Sequence, residues 1–205
     1  MKPEEHIIVI GRQYGSGGRQ LGKLLAESLG MSYYDKELLR EASDRLGFRA
    51  DLFERADEKR PSRFMSMVGA TYGASTYFTS GAMTGGTLYK MQSDVIRNLL
   101  EKGPCVIVGR TADYIGRDLP NLVSIFLCAG KEERVRRTLE RNPLLKAEDV
   151  NDWLDRKDSE RAAYYNYYTG RKWGHADNYD LCLNTTGLTT EQTCEIVKLL
   201  LVHRQ

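Results

Sequence analysis

Short apolar runs alternate along the chain with longer amphipathic stretches. The runs at 7–10, 105–108 and 122–127 contain β-branched residues and almost no charge, which is typical of strands buried on both faces of a sheet. Shorter strands are predicted at 31–34 and 180–183. These five runs are the expected strands of one sheet.

The intervals between the runs show helical periodicity. Leucines recur at helical spacing over 21–29 and are followed by Gly30, a typical C-terminal stop. Further helices are predicted over 36–46, 88–100, 131–141 and 190–201, with a long helical and aromatic stretch before the last strand. Strands separated by helices imply parallel crossovers, so the pattern predicts an α/β fold with a mainly parallel sheet.

A glycine-rich loop follows the first strand, with the sequence GRQYGSGGRQ over 11–20. Glycines allow positive φ and let backbone N–H groups close around an anion. The helix that follows adds its positive N-terminal end. Strand, glycine loop and helix together predict a phosphate-binding loop, with a simple chain-reversing turn as the alternative.

The loop departs from the phosphate-loop pattern GxxxxGK[ST], in which lysine contacts the β- and γ-phosphates and a hydroxyl holds magnesium. If Gly17 is the last loop glycine, Gly18 takes the lysine position. If Gly18 is the last, the lysine position falls on Arg19 and the hydroxyl position on Gln20. Arg19 suits phosphate because a guanidinium binds phosphate oxygens in pairs.

Composition narrows the function classes. The 205 residues suit one domain, and a net charge of +2 gives no general electrostatic case for nucleic acid or an anionic membrane. No run approaches the roughly 20 apolar residues of a membrane helix. The first residues do not resemble a signal peptide, so we expect a cytoplasmic protein. The four cysteines form no CxxC pair, which predicts buried, reduced thiols.

Five blocks of sequence, in this order and spacing, resemble the cytidylate kinase-like family of P-loop nucleoside monophosphate kinases. The opening block is IVIGRQYGSGGRQLGKLLAESLG followed by YYDKELL, and it shares the lysine-free loop of that group. The second is VIVGRT at 106–111, in which Thr111 stands where the family has aspartate. The others are IFL at 125–127 with KEERVRR at 131–137, DSER at 158–161, and YDLCLNTT at 179–186.

The resemblance implies a P-loop kinase-type three-layer sandwich, with about five mainly parallel strands, helices on both faces and a helical lid. It implies one domain over 1–205, an acceptor-side segment over about 36–90 and a lid over about 131–175. The implied reaction is ATP-dependent phosphoryl transfer to a nucleoside monophosphate, CMP or dCMP first, with Mg²⁺ as the usual companion of ATP. Residues expected to hold ATP are Gly15, Ser16, Gly17, Gly18, Arg19 and Gln20.

By the same resemblance, Arg110 and Arg161 bind acceptor phosphate or stabilise charge, Asp158 contacts cytosine, and Arg19 joins the two arginines in catalysis. Asp35 follows the second strand and either touches the substrate or caps the next helix. No aspartate ends the third strand, and Asp113 lies five residues beyond Val108, so the metal ligands stay unassigned.

Several alternatives remain open. Arg110 is also compatible with an ordinary surface arginine. The tyrosines at 164–168 fit either packing under a lid or base stacking, although we expect no nucleic-acid partner. The segment 69–87, rich in Gly, Ser, Thr and Tyr, is predicted to be a mobile loop or lid. A kinase for another small acceptor and a non-catalytic nucleotide-binding protein are the alternative functions; the sequence does not indicate an oligomeric state.

Overall fold

A computed structural model describes residues 2–35 and 85–204. Its five strands form one parallel sheet in the order β2-β3-β1-β4-β5. The strands are β1 (Ile7–Arg12), β2 (Ser32–Tyr34), β3 (Cys105–Val108), β4 (Leu122–Cys128) and β5 (Leu181–Asn184). The mainly parallel sheet predicted from the sequence is confirmed.

The central strand β1 pairs with β3 on one side and β4 on the other. Ile10 lies opposite Val108 and Ile125, so the three strands end at the same edge of the sheet. The chain runs to β2 on one side and later crosses to β4 on the other, so the strand order reverses beside β1. In open parallel sheets, ligands bind outside the carboxyl ends of the strands at such a reversal.

Helices cover both faces of the sheet. The helices of the described residues are α1 (Gly18–Leu29), α2 (Gly85–Glu101), α3 (Ala112–Ile115), α4 (Lys131–Arg141), α5 (Val150–Thr169) and α6 (Thr190–His203). One core cluster joins α1 and α6 to the sheet through side chains such as Leu25, Val197 and Ile8. A second cluster packs α2 and α3 on the opposite face, around Ile96 and Ile107. The fold is therefore a three-layer sandwich.

Local sequence explains most of the element boundaries. Helix α1 ends at Gly30, whose φ of 65° and N–H bond to the Ala26 carbonyl make the expected C-terminal stop. Helix α6 begins with a capping box, in which the Thr189 hydroxyl accepts from the Gln192 N–H and the Gln192 side chain accepts from the Thr189 N–H. Helix α3 was not predicted from the sequence because its four residues are too few to show periodicity.

All four cysteines are free thiols. Cys105 and Cys194 are buried, as predicted, whereas Cys128 is half-buried and Cys182 is exposed. The prediction of burial is wrong for Cys182 because β5 is an outer strand on which exposed and half-buried positions alternate.

Two sequence predictions fall outside the described residues. The predicted helix over 36–46 lies wholly outside them, and the predicted loop over 69–87 lies outside them as far as residue 84. Both belong to the predicted acceptor-side segment. Within the described residues, none of the helices has both the length and the apolar character needed to cross a bilayer.

Candidate active site

The glycine loop turns tightly between β1 and α1. Gly15 has φ 81° and Gly17 has φ 90°, both in the left-handed region that favours glycine. The Ser16 hydroxyl donates to the Gln13 carbonyl at 2.9 Å, which closes the turn. Gly17 caps α1 at its N-terminus, where the first backbone N–H groups have no partner within the helix. The loop therefore has the form of an anion-binding site at the end of a helix.

Two other elements hold this loop in place. A Cβ added to Gly15 would lie 2.8 Å from the Arg134 carbonyl oxygen, so the loop backbone packs directly on α4. The buried Thr185 hydroxyl also donates to the Ser16 carbonyl, at 2.9 Å. The shape of the loop is thus supported by α4 and by the segment after β5.

The start of α1 decides where the missing lysine would be. Because Gly17 is the cap and Gly18 is the first helical residue, the lysine position of the GxxxxGK[ST] pattern corresponds to Gly18. Arg19 then takes the hydroxyl position. Its Nε pairs with Asp35 Oδ2 at 2.8 Å, and its side chain is 48% exposed. A phosphate-binding role for Arg19 stays a prediction.

Asp35 is buried at the ligand edge of the sheet. It accepts a hydrogen bond from the Tyr33 hydroxyl at 3.1 Å in addition to the Arg19 ion pair. Burial, together with the Asp35 charge and hydrogen bond, raises the pKa of Tyr33 well above its usual value, so this phenol stays a donor. The structure therefore brings Arg19 and Asp35 together beside the glycine loop.

A cavity of about 520 Å³ opens on one side of the loop. Its walls come from the loop and the start of α1, from α4 and from the segment that joins β5 to α6. Residues that contribute side chains or backbone to it include Ser16, Gly17, Gln20, Arg136, Arg137, Thr185 and Leu188. Its size falls within the range of about 300–1,000 Å³ that is common for small-molecule sites.

Arg137 ties the walls of this first cavity together. Its guanidinium donates to the Thr185 hydroxyl and carbonyl at 3.0 Å each and to the Leu188 carbonyl at 3.1 Å. Its Nε pairs with Glu133 at 2.8 Å. The hydrogen bond from Arg136 to Glu133, with the Arg137 charge nearby, lowers the pKa of this carboxyl. Arg137 thereby connects α4 to the same threonine that holds the glycine loop.

A second cavity of about 210 Å³ lies over the glycine loop itself. Its lining includes Arg12, Gly15, Gly18, Arg19, Asp35, Arg141 and Arg161. Among the residues that the structure describes, four arginines line this space over the glycine loop, and the one acidic lining residue, Asp35, is paired with Arg19. This charge distribution favours a polyanion such as a nucleotide phosphate chain.

Asp158 lies beneath the loop rather than in open space. Its Oδ1 accepts the Tyr14 backbone N–H at 2.7 Å, and its Oδ2 accepts from Arg134 Nη1 at 2.6 Å. Arg161 Nη1 is 3.9 Å from Oδ1. Burial raises the pKa of Asp158 above its usual value, although the Tyr14 N–H and the two arginines act in the opposite direction. Both carboxylate oxygens are therefore bonded to the protein, and the predicted contact with cytosine stays a prediction.

Arg110 follows β3 in an unusual backbone conformation. Gly109, Arg110 and Thr111 have φ of 85°, 63° and 54°, three successive left-handed residues of which two carry side chains. Such residues cost on the order of 1–3 kcal/mol each and cluster at functional sites. Arg110 is only 3% exposed, so it is not the ordinary surface arginine that the sequence also allowed.

A third, small cavity lies next to Arg110. Arg12, Arg110, Asp113 and Arg161 line it, so the turn of α3 brings Asp113 back to the ligand edge despite its distance along the sequence. The Tyr165 hydroxyl donates to Asp113 Oδ2 at 2.7 Å. Burial nevertheless raises the pKa of Asp113. Three of the arginines near the loop thus meet at the end of β1 and β3.

Helices α4 and α5, which occupy the segment predicted as a lid, contact the loop through Tyr14. The Tyr14 ring packs edge-to-face on Trp153 with centroids 6.4 Å apart. The guanidinium groups of Arg161 and Arg141 lie 5.3 and 5.9 Å from its centroid. Any movement of these helices would therefore change the contacts of Tyr14 in the loop.

The tyrosine cluster of α5 packs against α2. Tyr168 stacks on Tyr89 with centroids 4.0 Å apart, and the buried Tyr164 hydroxyl donates to the Gln92 side chain. The Tyr89 hydroxyl also lies 3.1 Å from the Thr111 hydroxyl. These contacts account for the cluster as packing next to the arginine-lined cavity.

Sequence comparison assigns the chain to a family. The model of the cytidylate kinase-like family matches residues 7–187, which is most of the chain. The chain belongs to the cytidylate kinase-like family. The resemblance inferred from the five sequence blocks is thereby confirmed. A search of curated protein sequences gives no match.

Solved structures place the fold among P-loop kinases. An uncharacterized protein from Eubacterium ventriosum ATCC 27560 is 26% identical, with a TM-score of 0.72 over 97% of this chain and 99% of that chain. A gluconokinase from Sinorhizobium meliloti 1021 gives 11% identity and a TM-score of 0.56, over 97% and 93% of the two chains. Shikimate kinase from Acinetobacter baumannii in complex with shikimate gives 15% identity and a TM-score of 0.52, over 97% of this chain and 94% of that chain. Because the two kinases are only 15% and 11% identical to this chain, their likeness to it shows the fold alone.

Sequence reasoning missed several residues that shape the site, namely Arg12, Tyr14, Arg134 and Thr185. Their partners are far away in the sequence, so no short motif reveals them. Only Arg12 left a signal in the sequence, because it is the one cation between Gly11 and Gly15 of the loop.

Proposed function

We propose that this member of the family is a kinase that transfers the γ-phosphoryl group of ATP to a nucleoside monophosphate, with CMP or dCMP favoured. The observation that carries this proposal is the meeting of Arg12, Arg110 and Arg161 at the ligand edge, beside the glycine loop. A phosphate loop next to a second, arginine-lined anion site is what transfer between two phosphorylated molecules requires.

The described residues fit ATP. The glycine loop offers backbone N–H groups and the positive end of α1 to a phosphate chain. The adjoining cavity of about 520 Å³ has room for a base and ribose between α4 and the segment after β5. The two spaces share Gly17, so one nucleotide can occupy both at once.

We place the acceptor phosphate at these three arginines. Arg110 is buried and strained, and Arg161 is fixed by donating from Nη1 to the Arg12 carbonyl at 3.2 Å. Ordered guanidinium groups of this kind bind phosphate in pairs of hydrogen bonds and stabilise charge on the transferred group. They bind carboxylate equally well, so the phosphate of the acceptor is the proposal and a carboxylate acceptor is its alternative.

In the proposed reaction, an oxygen of the acceptor phosphate forms a bond to the γ-phosphorus of ATP. The bond from that phosphorus to the β–γ bridging oxygen breaks, and ADP leaves with the electron pair. A deprotonated phosphate oxygen needs no general base, so the rate depends on positioning and on charge stabilisation. This agrees with a site that is rich in arginine.

Mg²⁺ accompanies ATP in phosphoryl transfer generally. Across residues 2–35 and 85–204, no group of three or more His, Cys, Asp or Glu side chains is placed to hold a metal ion. Arg19 takes the hydroxyl position of the loop. Mg²⁺ usually takes only one or two protein ligands beside phosphate and water oxygens, so its protein ligands stay unassigned, and we expect phosphate and water to supply most of its coordination.

The proposal is tested by initial rates of ADP formation from Mg-ATP, with CMP, dCMP, UMP, AMP, GMP, shikimate and gluconate as separate acceptors. We expect CMP or dCMP to give the highest kcat/KM, and Arg110→Ala and Arg161→Ala to lower it at least about a hundredfold. Arg97→Ala is the matched control, because this arginine is exposed on α2 and forms its ion pair with nearby Asp94. If shikimate or gluconate gives the fastest turnover, the acceptor is a carboxylate and not a nucleoside monophosphate.

The loop without lysine favours one further candidate, a nucleotide-binding protein without kinase activity. It predicts ATP binding with no ADP formation above that of a buffer blank for every acceptor. The same assay, combined with a direct measurement of ATP affinity, separates it from the kinase.

A further inference from the structure

The lysine position of the loop is occupied by the stem of another side chain. Gly18 is the first residue of α1 and does not have a positive φ, so its backbone would accept a lysine. However, a Cβ on Gly18 would lie 3.0 Å from both Cβ and Cγ of Arg12. These contacts are tighter than ordinary van der Waals packing. Arg12 and a side chain at Gly18 therefore compete for one space.

The far end of Arg12 is also matched to a glycine. Gly109 follows β3 with φ 85°, and a Cβ there would overlap Nη1 of Arg12 and lie 2.8 Å from its Cζ. The guanidinium thus rests against bare backbone at the carboxyl end of β3. Glycines on two different elements leave room for the two ends of this one side chain.

The Arg12 side chain carries its charge to the boundary between the cavity over the glycine loop and the small cavity beside Arg110. Arg12 lines both the cavity over the glycine loop and the small cavity beside Arg110. Its own carbonyl accepts from Arg161 Nη1 at 3.2 Å, which fixes the end of β1 from which the side chain departs. A phosphoryl group that passes from donor to acceptor must cross this boundary.

We propose that Arg12 performs the task of the missing lysine, binding the β- and γ-phosphates of ATP from the end of β1 instead of from the start of α1. This inference rests on the proposed function. A guanidinium suits the task because it can bind two phosphate oxygens at once. Arg19, the candidate from the sequence, is bound to Asp35 and half exposed at the hydroxyl position.

The first test separates phosphate binding from turnover. Affinities for ATP and AMP are measured without acceptor, by displacement of a fluorescent ADP analogue, for the wild type, Arg12→Gln, Arg12→Lys, Arg19→Gln and the control Arg97→Gln. Arg12→Gln should weaken ATP at least about tenfold, or roughly 1.4 kcal/mol, and AMP less than about threefold. Arg12→Lys keeps the charge but loses the paired hydrogen bonds, so it should retain more of the ATP preference than Arg12→Gln does.

An unchanged ATP-to-AMP ratio in Arg12→Gln would overturn the inference, as would a loss confined to Arg19→Gln. Equal losses of ATP preference in Arg12→Gln and Arg12→Lys would show that the charge of residue 12 does not act on the phosphates and would also overturn it.

The second test exchanges the two positions. Arg12→Gly combined with Gly18→Lys gives the loop the ordinary pattern of glycine, four residues, glycine and lysine. The double variant should regain at least about tenfold in ATP-to-AMP preference over Arg12→Gly alone. Gly18→Lys alone should bring no gain, because the Arg12 stem is only 3.0 Å from the new Cβ. A double variant that is folded but no better than Arg12→Gly would contradict the inference.

Failure of this inference differs from failure of the proposed function. If the wild type binds ATP but transfers nothing to any acceptor, the kinase proposal fails, while the ATP-to-AMP ratios still decide the role of Arg12. If transfer is normal and Arg12→Gln leaves both the ratio and kcat/KM unchanged, only the role of Arg12 is wrong.

Discussion

Asp158 on α5 accepts a hydrogen bond from the backbone N–H of Tyr14 in the glycine loop, at 2.7 Å. The other carboxylate oxygen binds Arg134 of α4 at 2.6 Å. One side chain therefore joins both helices of the predicted lid to the loop that is proposed to hold ATP.

This relationship predicts that Asp158→Asn lowers kcat/KM with every acceptor by a similar factor, of at least about tenfold. The substitution leaves Arg134 as a buried charge without its partner, which typically costs about 3–5 kcal/mol. Initial rates with CMP and UMP, and urea unfolding, measure the two effects. Asp155→Asn is the control on the same helix, because its pair with Lys131 is exposed and is worth about 0–1 kcal/mol. A change in preference between CMP and UMP, with unaltered stability, would instead support contact with the base.

Gly15→Ala tests how closely the loop rests on α4. The added Cβ would meet the Arg134 carbonyl oxygen at 2.8 Å, and alanine at φ 81° costs about 1–2 kcal/mol by itself. Gly30→Ala shares the strain, at φ 65°, but has nothing within 4 Å of the new Cβ. We therefore expect Gly15→Ala to be the more destabilising in urea unfolding and the only one of the two to weaken ATP binding. Equal effects would mean that the loop can move away from α4.

Thr185→Val removes the hydroxyl that donates to the Ser16 carbonyl and accepts from Arg137. An unsatisfied buried partner costs about 1–3 kcal/mol, and here the loss falls on the loop. We expect ATP affinity to decrease several-fold in addition to any loss of stability. Thr169→Val is the matched control, since the hydroxyl of this buried threonine likewise donates, to the Tyr165 carbonyl, and accepts, from the Arg171 N–H, and Thr169 lines none of the three cavities. If both variants bind ATP alike, Thr185 does not position the loop.

The buried Asp113 predicts a dependence of stability on pH. Its pKa is raised above the usual 3.8, mainly by burial, so the folded protein holds this proton more tightly than the unfolded chain does. The contribution of Asp113 to stability must then decline as the pH rises from 3.8 through the raised value. Asp113→Asn should remove this decline, because asparagine still accepts from Tyr165 but does not ionise.

Urea unfolding at several pH values between about 3.5 and 7 measures this difference. The stability of Asp113→Asn relative to the wild type should increase with pH across this window. Asp118→Asn, at an exposed position, should show a smaller trend. Parallel curves for Asp113→Asn and the wild type would contradict the account of Asp113.

The strands and most helices could be predicted because local patterns specify them. Isoleucine and valine define β1 and β3, and leucine spacing up to Gly30 defines α1. The glycine loop was found for the same reason, since its composition is unusual over a few adjacent residues. Helix α3 was missed because one turn carries no periodic signal.

The remainder of the site depends on contacts between distant parts of the chain. Thr185 and Ser16 are 169 residues apart in sequence, and Tyr14 and Asp158 are 144 apart. Arg12 lies inside the loop region, yet only the fold shows that its stem passes Gly18 and that its guanidinium reaches Gly109. Asp113 is close to the site because a turn of α3 returns it there. These relationships follow from packing, which a motif does not record.

We propose that ATP phosphorylates a monophosphate acceptor at this site. The most direct measurement is ³¹P NMR of wild-type protein with Mg-ATP and CMP, following the products over time. We expect CDP and ADP to appear together in equal amounts with the wild type, and neither to form with Arg161→Ala. ADP accompanied by inorganic phosphate and no CDP, or no change in ATP at all, would contradict it.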